Sequence, residues 1–94
     1  MPAKLDGKFY GVILREKDNA VEPPDSWIVF VARDNALLAT LQFYKDECAR
    51  LGAKEAQLTA VDELIKRVEA WRIAHPERCK TADVDPGELS WSAR

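Results

Sequence analysis

Two short apolar runs open the chain, Phe9-Tyr10-Gly11-Val12-Ile13-Leu14 and Trp27-Ile28-Val29-Phe30-Val31-Ala32. Both are rich in β-branched and aromatic residues and bounded by turn formers, which predicts two strands. The polar stretch between them, Glu16 to Ser26, carries Pro23-Pro24-Asp25 and reads as a loop. Sequential strands usually pair, so the pattern predicts an N-terminal antiparallel β-hairpin over residues 8–33. Its connection is longer than most hairpins use.

The period then changes. Leu37, Leu41, Tyr44, Cys48 and Leu51 recur at steps of four and three, with Leu38 widening the stripe, which predicts a helix over about 34–51. Asp34 has the chemistry of an N-cap, and Gly52 that of the left-handed residue that ends a helix. Leu58, Val61, Leu64, Ile65, Val68 and Trp71 form a second stripe, giving a helix over about 54–75 that Pro76 stops at His75. Thr59 with Asp62 has capping-box spacing, but a start near Lys54 suits the stripe better. The short link makes the two helices an antiparallel αα-hairpin. The expected fold class is α+β, ββαα in order, with residues 1–75 as a single domain and 76–94 as an irregular, extended C-terminal tail.

Along each strand the two faces alternate. Trp27, Val29 and Val31 oppose Ile28, Phe30 and Ala32, and Tyr10, Val12 and Leu14 oppose Phe9, Gly11 and Ile13, so both faces of the hairpin are apolar. One layer of helices covers only one of them. Leaving the other exposed forgoes several kcal/mol at roughly 25 cal/mol per Å², comparable with the stability of a small domain. Three covers suggest themselves: the tail, anchored by Trp91; a different protein; or a second copy joined edge to edge in a four-stranded sheet. A homo-oligomer through the hairpin is the expectation.

Composition limits the chemistry. The chain has 94 residues, 47% of them hydrophobic and 32% charged, room for one core. That apolar share exceeds what one hairpin and two helices readily bury, which again suggests association. The formal net charge is −2, with five residues of each sign in 1–33, six basic and seven acidic in 34–75, and three and four in 76–94. Phosphate-driven binding needs a basic stripe, so nucleic acid is a disfavoured partner. The N-terminus lacks a signal-peptide core and no stretch approaches membrane-span length, so a soluble cytoplasmic protein with reduced thiols is expected. Cys48 reads as a small buried side chain and Cys79 as an exposed tail thiol.

Enzyme signatures are weak. His75 is the single histidine and sits at a helix end, where an imidazolium favours the negative terminus. Asp46-Glu47 and Asp62-Glu63 read as solvated helix faces rather than acid/base pairs. His75-Pro76-Glu77-Arg78-Cys79 with Cys48 offers three zinc-type ligands without a fourth, and the His-x-Glu lacks the Pro-Cys-x-x-Cys of a zinc deaminase. No glycine-rich phosphate loop occurs, and Lys8 to Ile13 resembles the aromatic strand of an RNA-recognition motif without its strand order. No enzyme, metal or cofactor is therefore expected. Phe43, Tyr44 and Trp71 read as packing residues, with Phe43 beside the main stripe.

Trp27-Ile28-Val29-Phe30 followed by Arg33-Asp34-Asn35-Ala36-Leu37-Leu38, then Phe43-Tyr44 with Cys48 and Leu51-Gly52-Ala53, and finally Trp71 with His75-Pro76-Glu77-Arg78-Cys79, looks like the small accessory proteins of bacteriophages and prophages. The resemblance covers roughly residues 27–82. It implies a short non-enzymatic protein, in the host cytoplasm if phage-encoded, that inhibits host defence by binding a host component or sequesters a signalling nucleotide. A binding module that occupies a host protein partner is the leading expectation. An oligomeric nucleotide-sequestering protein is the alternative, stacking its ligand on Trp27 or Tyr10 with charge from Arg33 or Lys8, near Phe30. A minor structural or assembly protein comes third. Tyr10, Trp27, Phe30, Arg33, Lys8 and Trp91 are the candidate binding residues.

Overall fold

The computed structural model describes residues 3–4 and 10–88. The chain divides into two compact units, Phe30–Ala82 and a second made of Met1–Val29 with Asp83–Arg94.

The N-terminal β-hairpin is not formed, which corrects the α+β expectation to a helical hairpin. Among the described residues the run at Trp27–Ala32 pairs with nothing as a strand. Trp27 is extended, at φ −139° and ψ 159°, and exposure alternates from Trp27 to Val31 as in a strand, but no partner lies alongside. The reason is local competition. The first run folds back on nearer chain: Tyr10–Gly11 pair with Ala3–Lys4 over two residues, and Leu14 bridges Val21. Glu22 donates its N–H to the Ile13 carbonyl at 2.8 Å and Arg15 to Ala20 at 2.9 Å. The turn between them has Asn19 at φ 58°, a left-handed position asparagine tolerates, and Asp18 accepts from the Ala20 N–H at 3.1 Å. Arg15 pairs with Asp18 at 2.9 Å on the same turn. Closing this short loop costs less chain entropy than bringing residues 27–32 back across the whole segment. The edge-to-edge route to a four-stranded sheet loses its premise with the hairpin.

The Phe30–Ala82 unit is built on two helices, α1 (Leu37–Arg50) and α2 (Glu55–Ala74). α1 begins later than its pattern suggests. Asp34 does accept an N–H, that of Ala36 at 2.8 Å, but as a turn before the helix, and the N-cap position belongs to Ala36 without a side-chain cap. Asp34 is engaged elsewhere through its backbone, in a parallel bridge with Lys80. The C-terminus closes as a Schellman motif: the Gly52 N–H donates to Ala49 at 3.1 Å and the Ala53 N–H to Cys48 at 2.9 Å. Gly52 sits at φ 81°, and a Cβ there would meet no atom within 4 Å. The cost of Gly52→Ala is therefore backbone strain alone, and the variant is expected to lose about 1 kcal/mol of stability in urea titration. Asn at the same position should cost less.

α2 starts from Lys54, extended at ψ 153°, with Glu55 favourably placed in the positive first turn, and runs through the alternative cap at Thr59. It ends at His75, before Pro76, and a single 3₁₀ turn follows at Pro76–Arg78. Leu37, Leu41, Val61 and Val68 are the buried apolar side chains, at 4%, 9%, 3% and 5% exposure. Leu37, Leu41 and Val68 form one cluster, flanked by Ala32, Leu38, Leu64 and Ile65. Towards the link between the helices the α1 stripe opens, leaving Tyr44 and Leu51 exposed.

Polar ties close the unit. Arg72 donates from Nη1 to the carbonyls of Ala32 and Asp34, both at 3.1 Å, and from Nη2 to Asn35 Oδ1 at 2.9 Å. The Asn35 N–H donates to Lys80 at 2.9 Å and the Lys80 N–H to Arg33 at 2.9 Å, so residues 79–81 run beside 33–35. Across the helix pair, Lys45 Nζ lies 2.8 Å from Asp62 Oδ1. That hydrogen-bonded carboxylate holds the Lys45 ammonium above the usual lysine range, with partial burial opposing and Asp46 and Glu55 adding to it. A raised folded-state pKa stabilises fully below the ordinary lysine range and is lost as pH climbs through the raised value. The melting-temperature gap between the wild type and Lys45→Met is thus expected to stay constant from about pH 6 to 9 and to shrink above about pH 10.4.

Candidate functional site

A concave surface of the helical unit lies between the two helices. Leu37 and Leu41, one turn apart on α1, form one wall, while Leu64, Val68 and Trp71 on α2 form the other. Phe30 and Ala32 close the side that precedes α1, and Arg67 stands at the rim. The cavity holds about 490 Å³ and is open on one side. Its floor is the buried cluster itself, so the core and the groove share residues. Nothing in the unit packs over Phe30, which keeps 55% of its surface exposed.

Trp71, on the wall of this groove, has aromatic and cationic neighbours. The His75 ring stacks on Trp71 at 4.3 Å between centroids, 25° from parallel, and the Arg78 guanidinium carbon lies 5.7 Å from the Trp71 ring centroid. His75 Nδ1 donates to the Trp71 carbonyl at 2.8 Å, closing the helix terminus as its position suggests. The Cys79 thiol points at the same terminus, 3.5 Å from the His75 carbonyl and 4.0 Å from that of Arg72. Instead of an exposed tail thiol it is a half-buried one. Cys48 is likewise half-buried rather than buried. Cys48 holds the Tyr44 phenol above its ordinary range, by hydrogen bonding and then by charge. Among the described residues no three His, Cys, Asp or Glu side chains gather closely enough to hold a metal ion. No described helix is long and apolar enough to cross a membrane.

The sequence-derived binding residues are divided between the two units and the undescribed segments. Lys8 and Trp91 lie outside the described residues, and Tyr10 is described only by its backbone pairing with Lys4. Trp27 belongs to the N-terminal unit, half-buried, its indole N–H enclosed without a hydrogen-bond partner among the described residues. Arg33 is half-buried in the helical unit and offers its carbonyl to Lys80. Among those described, Phe30 lines the groove. Two groove residues lie outside the candidates drawn from the sequence: Arg67, which is not part of the second helix's apolar stripe, and Trp71, which reads as packing. The available signal was a cation one helical turn from the aromatic member of the stripe.

Comparison of the chain with protein-family models, with curated proteins and with solved structures finds no match.

Proposed function

We propose that this chain is a small non-catalytic binding module of the phage-accessory kind, acting in the cytoplasm by occupying a protein partner through the groove of its helical hairpin. The observation that carries this reading is the open apolar trough, floored by the unit's own core and edged by an exposed Phe30. A helix of another protein would complete that core, as in helix-in-groove recognition. Cavities of this volume are also typical of small-ligand sites, but those bury most of their ligand, whereas this one is open on one side.

Site-specific photo-crosslinking tests the reading in host cytoplasm. A photoreactive phenylalanine analogue at position 30 or 67 should give adducts of one discrete mass, which the same analogue at Phe43, 72% exposed on α1, should not give. Adducts of equal yield from position 43, or none from positions 30 and 67, would sink the proposal.

A further inference from the structure

The groove's charge indicates what kind of helix it takes. On α2, Arg67 and Trp71 line the trough one turn apart, and Arg78, on the 3₁₀ turn that follows, holds its guanidinium carbon 5.7 Å from the Trp71 ring centroid. Neither arginine forms an ion pair among the described residues. Three other cations of the unit are engaged within it: Lys45 with Asp62, Arg50 with Glu47, and Arg72 with the 32–35 turn. Glu69, two residues after Arg67, Glu63, one turn before it, and Glu77, beside Arg78, are the acids near them in sequence, and none pairs with them among the described residues. The protein is acidic overall, with a net charge of −2, so two guanidinium groups without a carboxylate partner, one lining the groove and one over its Trp71, run against its average.

From this we infer that the groove recognises an acidic amphipathic helix of a partner protein, with apolar anchors in the trough and carboxylates against Arg67 and Arg78. The inference rests on the reading of the groove as a docking surface. Leu64 to Trp71 covers two turns, about 10 Å, which matches anchors at i, i+4 and i+7 of a docking helix. Arg suits the recognition because its fork can hold a carboxylate with two hydrogen bonds. Placed at the rim, the pair sets specificity and orientation more than bulk affinity.

Three synthetic 16-residue helical peptides test it, sharing Leu, Leu and Trp anchors and differing only in flanking Glu, Gln or Lys. Isotope-labelled full-length protein is titrated with each while the methyl signals of Leu37, Leu41, Leu64 and Val68 and the Trp71 indole are followed by NMR. The expected order is Glu, then Gln, then Lys. The Glu peptide should bind about tenfold more tightly than the Gln peptide, the yield of two partly exposed ion pairs. Arg67→Glu with Arg78→Glu should invert the order, circular dichroism confirming retained helix content. Equal binding of all three peptides at these signals would leave the docking surface standing and overturn its charge preference. Failure of all three to move the groove signals, or shifts confined to the outer face around Phe43, would overturn both. Concentration-dependent shifts of the same signals without peptide would make a second copy the occupant and overturn the partner assignment.

Discussion

Replacing Arg72 with alanine is expected to lower the unfolding free energy by about 2–3 kcal/mol, the range for losing charge-assisted hydrogen bonds to partly buried acceptors. Three acceptors lose their donor at once: the carbonyls of Ala32 and Asp34 and the Asn35 amide oxygen. The two carbonyls belong to the turn that leads into α1, where no side chain caps the helix, so the turn depends on its tie to α2. Urea denaturation reads the effect directly. With an m-value of about 1 kcal/mol/M the midpoint should fall by about 2 M, at unchanged slope. Arg72→Lys should recover little of the loss, because one ammonium cannot span three acceptors as a planar fork does. A shift below about 0.5 kcal/mol would show that the clamp is solvent-exchanged and that the turn is held by other contacts.

Leu37→Ala is expected to cost about 3 kcal/mol, from lost burial together with the cavity left behind. Leu37 is 4% exposed and packs in the cluster with Leu41 and Val68, among the few side chains that are buried at all. Ile73, on the same helix pair but 80% exposed, supplies the contrast, and Ile73→Ala should stay within about 0.5 kcal/mol. Leu37 also walls the groove, so its truncation enlarges the trough as well as weakening the unit. Comparable losses at positions 37 and 73 would show that the helices pack on a different face.

The helices were legible because each carries its information locally. The stripe from Leu58 to Trp71, the left-handed position at Gly52 and the stop before Pro76 all act within a turn or two, and α2 forms where they direct it. The hairpin was misread because strand propensity says that a segment is extended and not what it pairs with. Trp27–Ala32 keeps the alternating exposure that its residues favour, while the turn at Arg15–Ala20 captures the first run before the second can reach it. Asp34 illustrates a smaller miss of the same kind. Its cap chemistry was visible, but not the bridge to Lys80 that holds its backbone ahead of the helix. The candidate site was legible only at Phe30. Arg67 and Trp71 belong to a helix whose pattern explains them fully as surface and core, and only the position of Phe30 and Ala32 opposite them makes a groove.

The bridge between residues 33–35 and 80 has one more consequence. It brings the entry and exit of the Phe30–Ala82 unit side by side, with the Asn35 N–H donating to the Lys80 carbonyl and the Lys80 N–H to the Arg33 carbonyl. A piece of chain whose two ends meet can be lifted out and spliced into a surface loop of an unrelated scaffold, or rejoined with new termini at the Gly52 turn, without redirecting its path. The helical hairpin is in that sense a portable cassette, able to carry its groove into other proteins.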